Sequence, residues 1–420
     1  MDKLNQKNIL EILSKAKSSS FGFSRISSDE KSKVLKNMAK ALIDNKDYIL
    51  KENQKDIKNA VIKKLSSSFL DRLKLDDKRL TAMSSSIKQI SLQKDPIGEI
   101  ISGSIQPNGL RIRKERVPLG VVFIVYESRP NVTSDCIALC LRSSNVCILR
   151  GGSDAIYSNK AIFNALKSAA KDLGLDKFMF YIENPQHQVI DFILKNAKDY
   201  IDLVIPRGGE ALVEKVTKLS TAPVIKHYKG ICHIYVDKSA DLKMAKDIII
   251  NAKVQRPSVC NAVETILIHK QIADKFLPDL KEDLDKYKVE IRGCDRTLTI
   301  IPTVAKAKPS DWGYEYLDLI LSCKVVDDLT SAVNHINKYG SAHTDSIIAE
   351  DVFAAEEFTN LVSSACVFVN TSTRFSDGGE FGLGAEIGIS TDKIHARGPM
   401  GAEELTTYKY IVYSNGCIRK

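Results

Sequence analysis

The run Gly120-Val121-Val122-Phe123-Ile124-Val125 decides the fold class of this chain. It is short, continuous and apolar, which is typical of a strand buried on both faces of a parallel sheet. Residues 146–149 and 203–205 repeat the pattern, each running into a polar or glycine-bearing loop with helical stretches between them. This alternation predicts βαβ units and an α/β fold, whose ligands bind at the carboxyl ends of the strands.

The flanking regions read differently. Residues 1 to about 95 have apolar positions at helical spacing, which predicts a helical N-terminal region. Pro107-Asn108-Gly109 is a turn followed by alternating apolar and polar residues, which predicts a hairpin. After residue 230 the strand pattern returns, and the predicted strands include residues 266–268, 298–301 and 367–369.

Composition is ordinary for a globular enzyme with two or three domains. The chain has 420 residues, of which 44% are hydrophobic and 27% charged. It has no apolar run near the roughly 18 residues that a membrane helix needs, and no apolar signal core follows Met1. We therefore expect a cytoplasmic protein that does not bind membranes. Nine cysteines without a Cys-x-x-Cys pair argue against a disulfide framework and a zinc ribbon, so no metal is expected.

The net charge of +9 raises nucleic-acid binding as an alternative. The lysines, however, are spread along the chain and interleaved with acidic residues, as in Lys51-Glu52-Asn53-Gln54-Lys55-Asp56. Basic runs with interleaved aromatic residues, which mark a nucleic-acid surface, are missing from the sequence. We expect no nucleic-acid partner. A diffuse positive charge is typical of a solvated surface, and it would also favour small anionic substrates and a phosphorylated cofactor.

Residues 251–265 contain the strongest functional signal, because they set Cys260 in a polar turn just before a predicted strand. A cysteine held there by rigid structure can still meet a substrate, and its thiolate can attack a carbonyl carbon and form a thioester. The alternative is a buried structural cysteine, which is the interpretation we favour for Cys136 and Cys140 in their apolar stretch.

Two glycine-bearing loops are candidates for cofactor binding. The chain has no G-x-G-x-x-G fingerprint, but residues 150–155 and 206–210 each follow a predicted strand. The paired glycines Gly208 and Gly209 let backbone approach a ligand, and the helix after them would favour an anion at its N-terminus. The alternative is that each pair only makes a tight turn.

Six segments carry a family resemblance that extends from the N-terminal helices to about Tyr413. The segments are residues 126–133, 205–209, 227–237, 251–265, 335–345 and 377–388. They resemble the gamma-glutamyl phosphate reductases, a family within the aldehyde dehydrogenase superfamily. The resemblance implies NADPH-dependent reduction of L-glutamate 5-phosphate to L-glutamate 5-semialdehyde and phosphate, the second step of proline synthesis from glutamate.

The resemblance also implies an architecture and partners. We expect an aldehyde dehydrogenase-like α/β fold with a Rossmann-like cofactor domain, an α/β catalytic domain and a small oligomerisation arm. The expected bounds are residues 1–99 and 118–229 for the NADP-binding domain and 230–400 for the catalytic domain. Residues 100–117 and 401–420 would form the oligomerisation hairpin and tail of a homo-oligomer. A transient handover of substrate from glutamate 5-kinase is a further implied partnership.

Site roles follow by motif from the same resemblance. Cys260 matches the nucleophile, and Asn131 matches the asparagine whose amide helps to hold the thioester oxyanion. Arg150 stands where the superfamily carries a lysine that touches the adenosine ribose, and a guanidinium would suit the 2′-phosphate of NADP. Glu315 resembles the glutamate that holds the nicotinamide ribose. The alternatives are a turn residue for Asn131 and a surface carboxylate for Glu315.

Four further residues are candidates for binding a substrate that has both an acyl phosphate and an α-amino acid end. Arg129 and Arg256 lie close in sequence to Asn131 and Cys260 and would meet the anionic groups. Asp377 or Glu380, in a glycine-rich loop, would face the α-ammonium. The alternative is that either arginine pairs with a structural carboxylate.

One departure from hydrolytic aldehyde dehydrogenases favours an acyl-phosphate reductase. Those enzymes carry a glutamate that activates water at the entry to the catalytic domain, whereas this chain reads Lys226-His227-Tyr228-Lys229-Gly230. His227 and His233 could act as bases, although hydrogen bonding in the scaffold also explains a histidine here. Two alternative functions stay open: an acylating or hydrolytic aldehyde dehydrogenase with another substrate, and a non-enzymatic binding protein on an inherited fold.

Overall fold

The computed structural model describes residues 3–226 and 229–419. The α-helices are α1 Lys3–Phe23, α2 Ser28–Asp44, α3 Lys46–Ile62, α4 Ser67–Leu73, α5 Asp77–Leu92, α6 Asn131–Arg142, α7 Ile156–Lys171, α8 His187–Lys195, α9 Glu210–Leu219, α10 Leu242–Val254, α11 Lys270–Lys286, α12 Asp295–Ile300, α13 Leu329–Tyr339 and α14 Val352–Leu361. The strands are β1 Ile100–Ile105, β2 Arg111–Pro118, β3 Val121–Tyr126, β4 Val146–Gly151, β5 Met179–Tyr181, β6 Leu203–Arg207, β7 Cys232–Val236, β8 Val263–His269, β9 Glu290–Gly293, β10 Ala305–Lys306, β11 Ile320–Val326, β12 Thr344–Ile348, β13 Cys366–Val369, β14 Gly388–Ser390, β15 Gly398–Met400 and β16 Thr406–Tyr413.

The chain divides into two compact units. The first comprises Met1–Lys226, Gly382–Gly388 and Met400–Lys420, and the second comprises His227–Phe381 and Ile389–Pro399. Each unit has its own parallel sheet, as the alternation of apolar runs and helical stretches predicts. The assignment of cofactor binding and catalysis to particular ranges stays a prediction.

The first unit is built on a four-stranded parallel sheet in the order β5-β4-β3-β6. Every residue of β3 and β4 is buried, which explains why their sequences are continuous apolar runs rather than alternating ones. The chain adds β4 and β5 on one side of β3 and then crosses to place β6 on the other side. That reversal is the topological switch point at which open α/β sheets bind ligands.

The hairpin predicted around Pro107-Asn108-Gly109 is present in the first unit. β1 and β2 pair antiparallel, and β2 also pairs along its length with β16 near the end of the chain. The turn closes when the Gly109 N–H donates to the Gln106 carbonyl at 2.8 Å. All residues of β1 are exposed, so the three-stranded sheet leaves an open edge.

The second unit has a seven-stranded parallel sheet in the order β10-β9-β11-β8-β7-β12-β13. Successive side chains of its central strands point to opposite faces, as in any strand. Ile266 and Ile268 pack with Phe276 and Leu280 of α11, whereas Leu267 packs with residues of α13 and α14 on the other face. Helices therefore cover both faces, and all seven residues of β8 are buried.

One predicted strand is wrong. Residues 298–301 were expected to be extended, but Asp295–Ile300 form the short helix α12. A short apolar run has the same composition in a buried strand and in a buried helical turn, so periodicity cannot separate them. The strand of this region is β9, Glu290–Gly293, which begins with exposed Glu290 and is less apolar.

Candidate active site

Cys260 lies in the turn that joins α10 to β8, in the second unit. Six of the nine cysteines are buried, whereas Cys260 is half-exposed, as is Cys294, and Cys417 is exposed. The turn stands at the amino end of β8 because it precedes that strand in the chain. The place of Cys260 in a turn before a strand is as predicted.

Gly230 packs directly against the backbone of Cys260. A Cβ at position 230 would lie 2.5 Å from the Cys260 Cα and closer still to its carbonyl oxygen, so only glycine fits. The Gly230 N–H donates to Glu315 Oε1 at 2.8 Å, and the next N–H, of Ile231, donates to Ser341 Oγ at 2.9 Å. The structure thus links two predicted site residues, Cys260 and Glu315, through one glycine.

Cys232, the first residue of β7, contacts the backbone of the turn that carries Cys260, here called the nucleophile turn. Its thiol donates to the carbonyl oxygen of Cys260 at 3.3 Å and lies 3.7 Å from His343 Nδ1. Burial raises the pKa of the Cys232 thiol well above its usual range, and nearby carboxylates add to the shift. Cys232 therefore stays a neutral donor, and of these two neighbouring cysteines Cys260 is the one open to solvent.

A buried ion pair anchors the loop that carries Glu315. Lys253 Nζ donates to Glu264 Oε2 at 2.7 Å and to the Asp318 carbonyl at 3.0 Å, while Glu264 Oε1 accepts the Leu317 N–H at 3.2 Å. Both side chains are fully buried, and burial raises the pKa of Glu264 to about 7. The pair bonds the Leu317 N–H and the Asp318 carbonyl, and it therefore fixes the loop in which Glu315 lies. Leu317 has a positive φ of 53° in this loop.

The predicted substrate residues Arg256, Asp377 and Glu380 all lie in the second unit. Arg256 and Asp377 are half-buried, and both interact electrostatically with Arg374. Asp377 Oδ1 accepts the Gly379 N–H at 2.8 Å, so it also shapes the glycine-rich loop. Glu380 is exposed on that loop.

Asn131 and Arg129 lie in the first unit, where Asn131 is the first residue of α6. The Asn131 side chain is exposed, and its Nδ2 donates to Asp135 Oδ2, one helical turn later, at 3.0 Å. Burial raises the pKa of Asp135 to about 7, although the hydrogen bonds from Asn131 and Ser134 favour its charged form. Asp135 thus orients the amide predicted to hold the oxyanion.

The raised pKa of Asp135 predicts a pH-dependent stability. In the folded chain Asp135 keeps its proton up to about pH 7, whereas the unfolded carboxyl releases it near 3.8. The native state binds more protons in that window, so this contribution is complete below 3.8 and is lost as the pH rises to about 7. The Asp135→Asn variant should therefore gain stability relative to the wild type between pH 5 and pH 8, measured by urea unfolding. An unchanged difference at the two pH values would contradict the raised pKa.

The cofactor candidates of the first unit follow its parallel strands. Arg150 is the fifth residue of β4; its side chain is 4% exposed, and it donates through Nη2 to the Pro185 carbonyl. Gly208 and Gly209 follow β6 and lead into α9, where the Gly209 N–H donates to Glu127 Oε2 at 2.9 Å. The carboxylate of Glu127 thus occupies the helix N-terminus where we predicted a cofactor anion.

His233 serves the scaffold of the second unit. It is fully buried in β7, its N–H donates to Asp345 Oδ1 at 2.7 Å, and its ring Nδ1 lies 3.1 Å from the same oxygen. This pairing ties β7 to β12, which neighbour each other in the sheet. His227 lies outside the described residues.

Four residues that contact predicted site residues escaped the sequence analysis: Gly230, Cys232, Asp135 and Arg374. Asp135 had a local signal, since it stands four residues after Asn131 on a predicted helix. Gly230 and Cys232 belong to a segment that carried the family resemblance, but their contacts with Cys260 join positions about thirty residues apart. Arg374 contacts Asn261 across 113 residues, and local pattern gives no sign of such a pairing.

Comparisons with known proteins identify the family of this chain. Residues 1–311 match the aldehyde dehydrogenase family. The chain is 51% identical to the gamma-glutamyl phosphate reductase of Nautilia profundicola, over 98% of this chain and 100% of that protein. It is 52% identical to the one of Caldanaerobacter subterraneus, over 97% and 98% of the two chains.

Solved structures agree as well. The crystal structure of gamma-glutamyl phosphate reductase from Thermotoga maritima is similar with a TM-score of 0.93 at 44% identity, over 98% of this chain and 100% of that one. An acetylating aldehyde dehydrogenase from Geobacillus thermoglucosidasius shares the fold, with a TM-score of 0.72 at 16% identity over 99% and 98%. The predicted fold class is confirmed. The chain belongs to the aldehyde dehydrogenase family, among the proteins named gamma-glutamyl phosphate reductase.

Proposed function

We propose that this protein reduces L-glutamate 5-phosphate to L-glutamate 5-semialdehyde with NADPH and releases phosphate, the second step of proline synthesis from glutamate. The observation that carries the proposal is that Cys260 is half-exposed in a turn whose backbone contacts the buried residues Gly230 and Cys232. The substrate is proposed from the relatives named gamma-glutamyl phosphate reductase, which match nearly the whole chain at about 50% sequence identity.

In the proposed reaction the Cys260 thiolate attacks the acyl carbon of the substrate. The new C–S bond forms as the C–O bond to phosphate breaks, so phosphate leaves and a thioester remains on Cys260. The Cys260 backbone is fixed in position, because Gly230 packs against it and the Cys232 thiol donates a hydrogen bond to its carbonyl oxygen. The Asn131 amide, oriented by Asp135, is the side-chain donor proposed for the oxyanion, and such a donor contributes about 2.7–4 kcal/mol.

Membership of the aldehyde dehydrogenase family implies a nicotinamide cofactor. Bound NADPH would supply the hydride that brings the thioester carbon to the aldehyde level, after which Cys260 is released as a thiolate. Arg150 of the first unit fits such a cofactor, because its buried Nε has no hydrogen-bond partner among the described residues. We propose that Arg150, Gly208, Gly209 and Glu315 hold the cofactor, the two glycines by close approach of their backbone, since the Gly209 N–H already bonds Glu127.

For the substrate we propose Arg129 and Arg256 as partners of the anionic groups and Asp377 or Glu380 as partner of the α-ammonium. The half-buried Arg256 and Asp377 support this assignment, since charged groups held partly out of water bind a counter-charge more strongly than exposed ones. We also propose a cytoplasmic homo-oligomer that associates through the β1-β2-β16 sheet. Exposed Tyr410 and Ile105 on that sheet support the proposal, and handover from glutamate 5-kinase stays a prediction.

A coupled assay tests the function in the reverse direction. Purified protein, glutamate semialdehyde and NADP are mixed with or without inorganic phosphate, and NADPH is read by its absorbance. We expect reduction of NADP only when phosphate is present. Reduction without phosphate would instead identify a hydrolytic aldehyde dehydrogenase. Cofactor binding without any turnover would identify a binding protein.

Arg150 gives a prediction for cofactor choice. The Arg150→Ala variant should lose most of the preference for NADP over NAD, because a charge-assisted hydrogen bond to the 2′-phosphate is worth roughly 1.5–3 kcal/mol. The ratio of kcat/KM for the two cofactors measures this. Because Arg150 is buried and also bonds Pro185, the melting temperature must be recorded alongside. An unchanged ratio in a folded variant would show that the 2′-phosphate is read elsewhere.

A further inference from the structure

Arg374 lies beside the proposed nucleophile, although neither the sequence motifs nor the comparisons point to it. It belongs to the 3₁₀ turn Thr373–Phe375, which follows β13 in the second unit. Its Nε donates to Gln255 Oε1 at 2.8 Å, and its Nη1 donates to Asn261 Oδ1. Gln255 and Asn261 stand on either side of Cys260, so a single guanidinium bridges the two ends of the turn.

The contact between Asn261 and the Arg374 segment is reciprocal. Asn261 Nδ2 donates to the carbonyls of Arg374 at 3.3 Å and Ser376 at 2.9 Å, and the Asn261 carbonyl accepts from Thr373 Oγ1 at 2.7 Å. Asn261 is 4% exposed, so these bonds are made largely out of water and hold the residue after Cys260 firmly.

Arg374 also brings positive charge to the nucleophile. Burial lowers the pKa of its guanidinium, and the attraction of Asp377 and of the Cys260 sulfur opposes that shift. A guanidinium stays protonated at neutral pH even when half-buried. A fixed cation close to a sulfur favours the thiolate over the thiol, and the thiolate is the attacking form.

We propose that Arg374 is a positioning residue for Cys260: it ties both ends of the nucleophile turn together and holds a permanent positive charge beside the sulfur. The inference rests on the proposed role of Cys260 as the nucleophile. It assigns to Arg374 two separable contributions, one from the shape of the planar guanidinium and one from its charge.

Other charged groups interact with Arg374 and with Cys232, whose thiol contacts the Cys260 backbone. Arg256 repels Arg374, and Asp377 attracts it. On the side of β7, Cys232 interacts with Cys260 and with the carboxylates of Asp345, Glu264 and Glu315. These three carboxylates disfavour a thiolate nearby, and the Arg374 cation opposes that effect.

Alkylation of Cys260 by iodoacetamide tests the inference without substrate or cofactor. In this reaction the thiolate forms a C–S bond and iodide leaves, so the rate follows the thiolate fraction. The rate at the Cys260 peptide would be measured by mass spectrometry from pH 5 to pH 10 in the full-length protein. The variants are Arg374→Gln, which removes charge, and Arg374→Lys, which keeps charge but loses the planar fork.

In Arg374→Gln we expect the midpoint of the pH–rate curve to rise by about one pH unit, which is the size of a nearby cation's effect. The alkylation rate at pH 7 should then fall about tenfold, because the thiolate fraction falls by that factor. Arg374→Lys should keep the midpoint near that of the wild type but lower kcat of the phosphate-dependent assay, because lysine cannot bridge Gln255 and Asn261.

Arg296→Gln is the matched control. Arg296 is exposed in the same unit and pairs with Asp327 through bonds of 2.9 and 3.2 Å, and its loss should leave the midpoint unchanged. An Arg374→Gln variant with the wild-type midpoint and rate would overturn the inference. So would a fall in rate without a shift of the midpoint, which shows loss of structure alone. If Cys260→Ser keeps turnover, the proposed role of Cys260 as the nucleophile fails, while the alkylation curves still report on Arg374.

Discussion

Replacing Cys260 by serine is expected to abolish phosphate-dependent reduction of NADP while the protein stays folded and binds cofactor. A serine hydroxyl is a far weaker nucleophile than a thiolate and has no cation-stabilised anionic form at neutral pH. The substitution replaces one sulfur by one oxygen in a half-exposed turn, so packing changes little. Turnover in the coupled assay, cofactor titration by fluorescence and the melting temperature together measure the three expectations.

Cys294 offers a matched control for this variant. It is likewise half-exposed, lies in the second unit and contacts Thr297 Oγ1 at 3.3 Å. Cys294→Ser should keep wild-type turnover, since the Cys294 sulfur contacts Thr297 and has no proposed role in the reaction. Substantial activity in Cys260→Ser, or an equal loss in Cys294→Ser, would remove Cys260 from the reaction.

Much of the fold was accessible from the sequence because several strands of both parallel sheets are buried along nearly their whole length. Burial forces continuous apolar runs, and these runs mark β3, β4, β6 and β8 directly. The strand predicted at residues 298–301 was wrong because a short buried helical turn has the same apolar composition as a buried strand. Strand order and the division into two units needed contacts between distant residues, which the local pattern does not contain.

The candidate site was accessible only in part. Cys260 stood out because it lies in a polar turn, whereas Cys136, Cys140 and Cys147 lie in apolar runs. The groups that hold its turn come from two other segments, one with Gly230 and Cys232 and one with Arg374, and each residue looks unremarkable within its own segment. A glycine required by contact with a backbone 30 residues away has no local signature, unlike a glycine required by a turn.

Gly230→Ala is expected to cause the second large loss of activity. The added Cβ would lie 2.5 Å from the Cys260 Cα, a separation that backbone atoms cannot tolerate, so the nucleophile turn must move. Overpacking of this kind costs about 1–3 kcal/mol of folding stability. The effect on turnover should be greater, because a displacement of about 1 Å in a reacting group lowers rate about 100-fold.

The measurement compares kcat with the free energy of unfolding in Gly230→Ala and Gly313→Ala. A Cβ at Gly313 would meet only the Tyr339 carbonyl, at the ordinary distance of 3.8 Å, so that variant should keep both quantities. In Gly230→Ala the fall in kcat should exceed what the loss of folded protein explains, because Gly230 also donates its N–H to Glu315 and any shift of its backbone disturbs both groups. Wild-type kcat in a folded Gly230→Ala protein would show that the turn adjusts without moving the sulfur. The rigidity of the Cys260 backbone, on which the proposed reaction depends, would then be refuted.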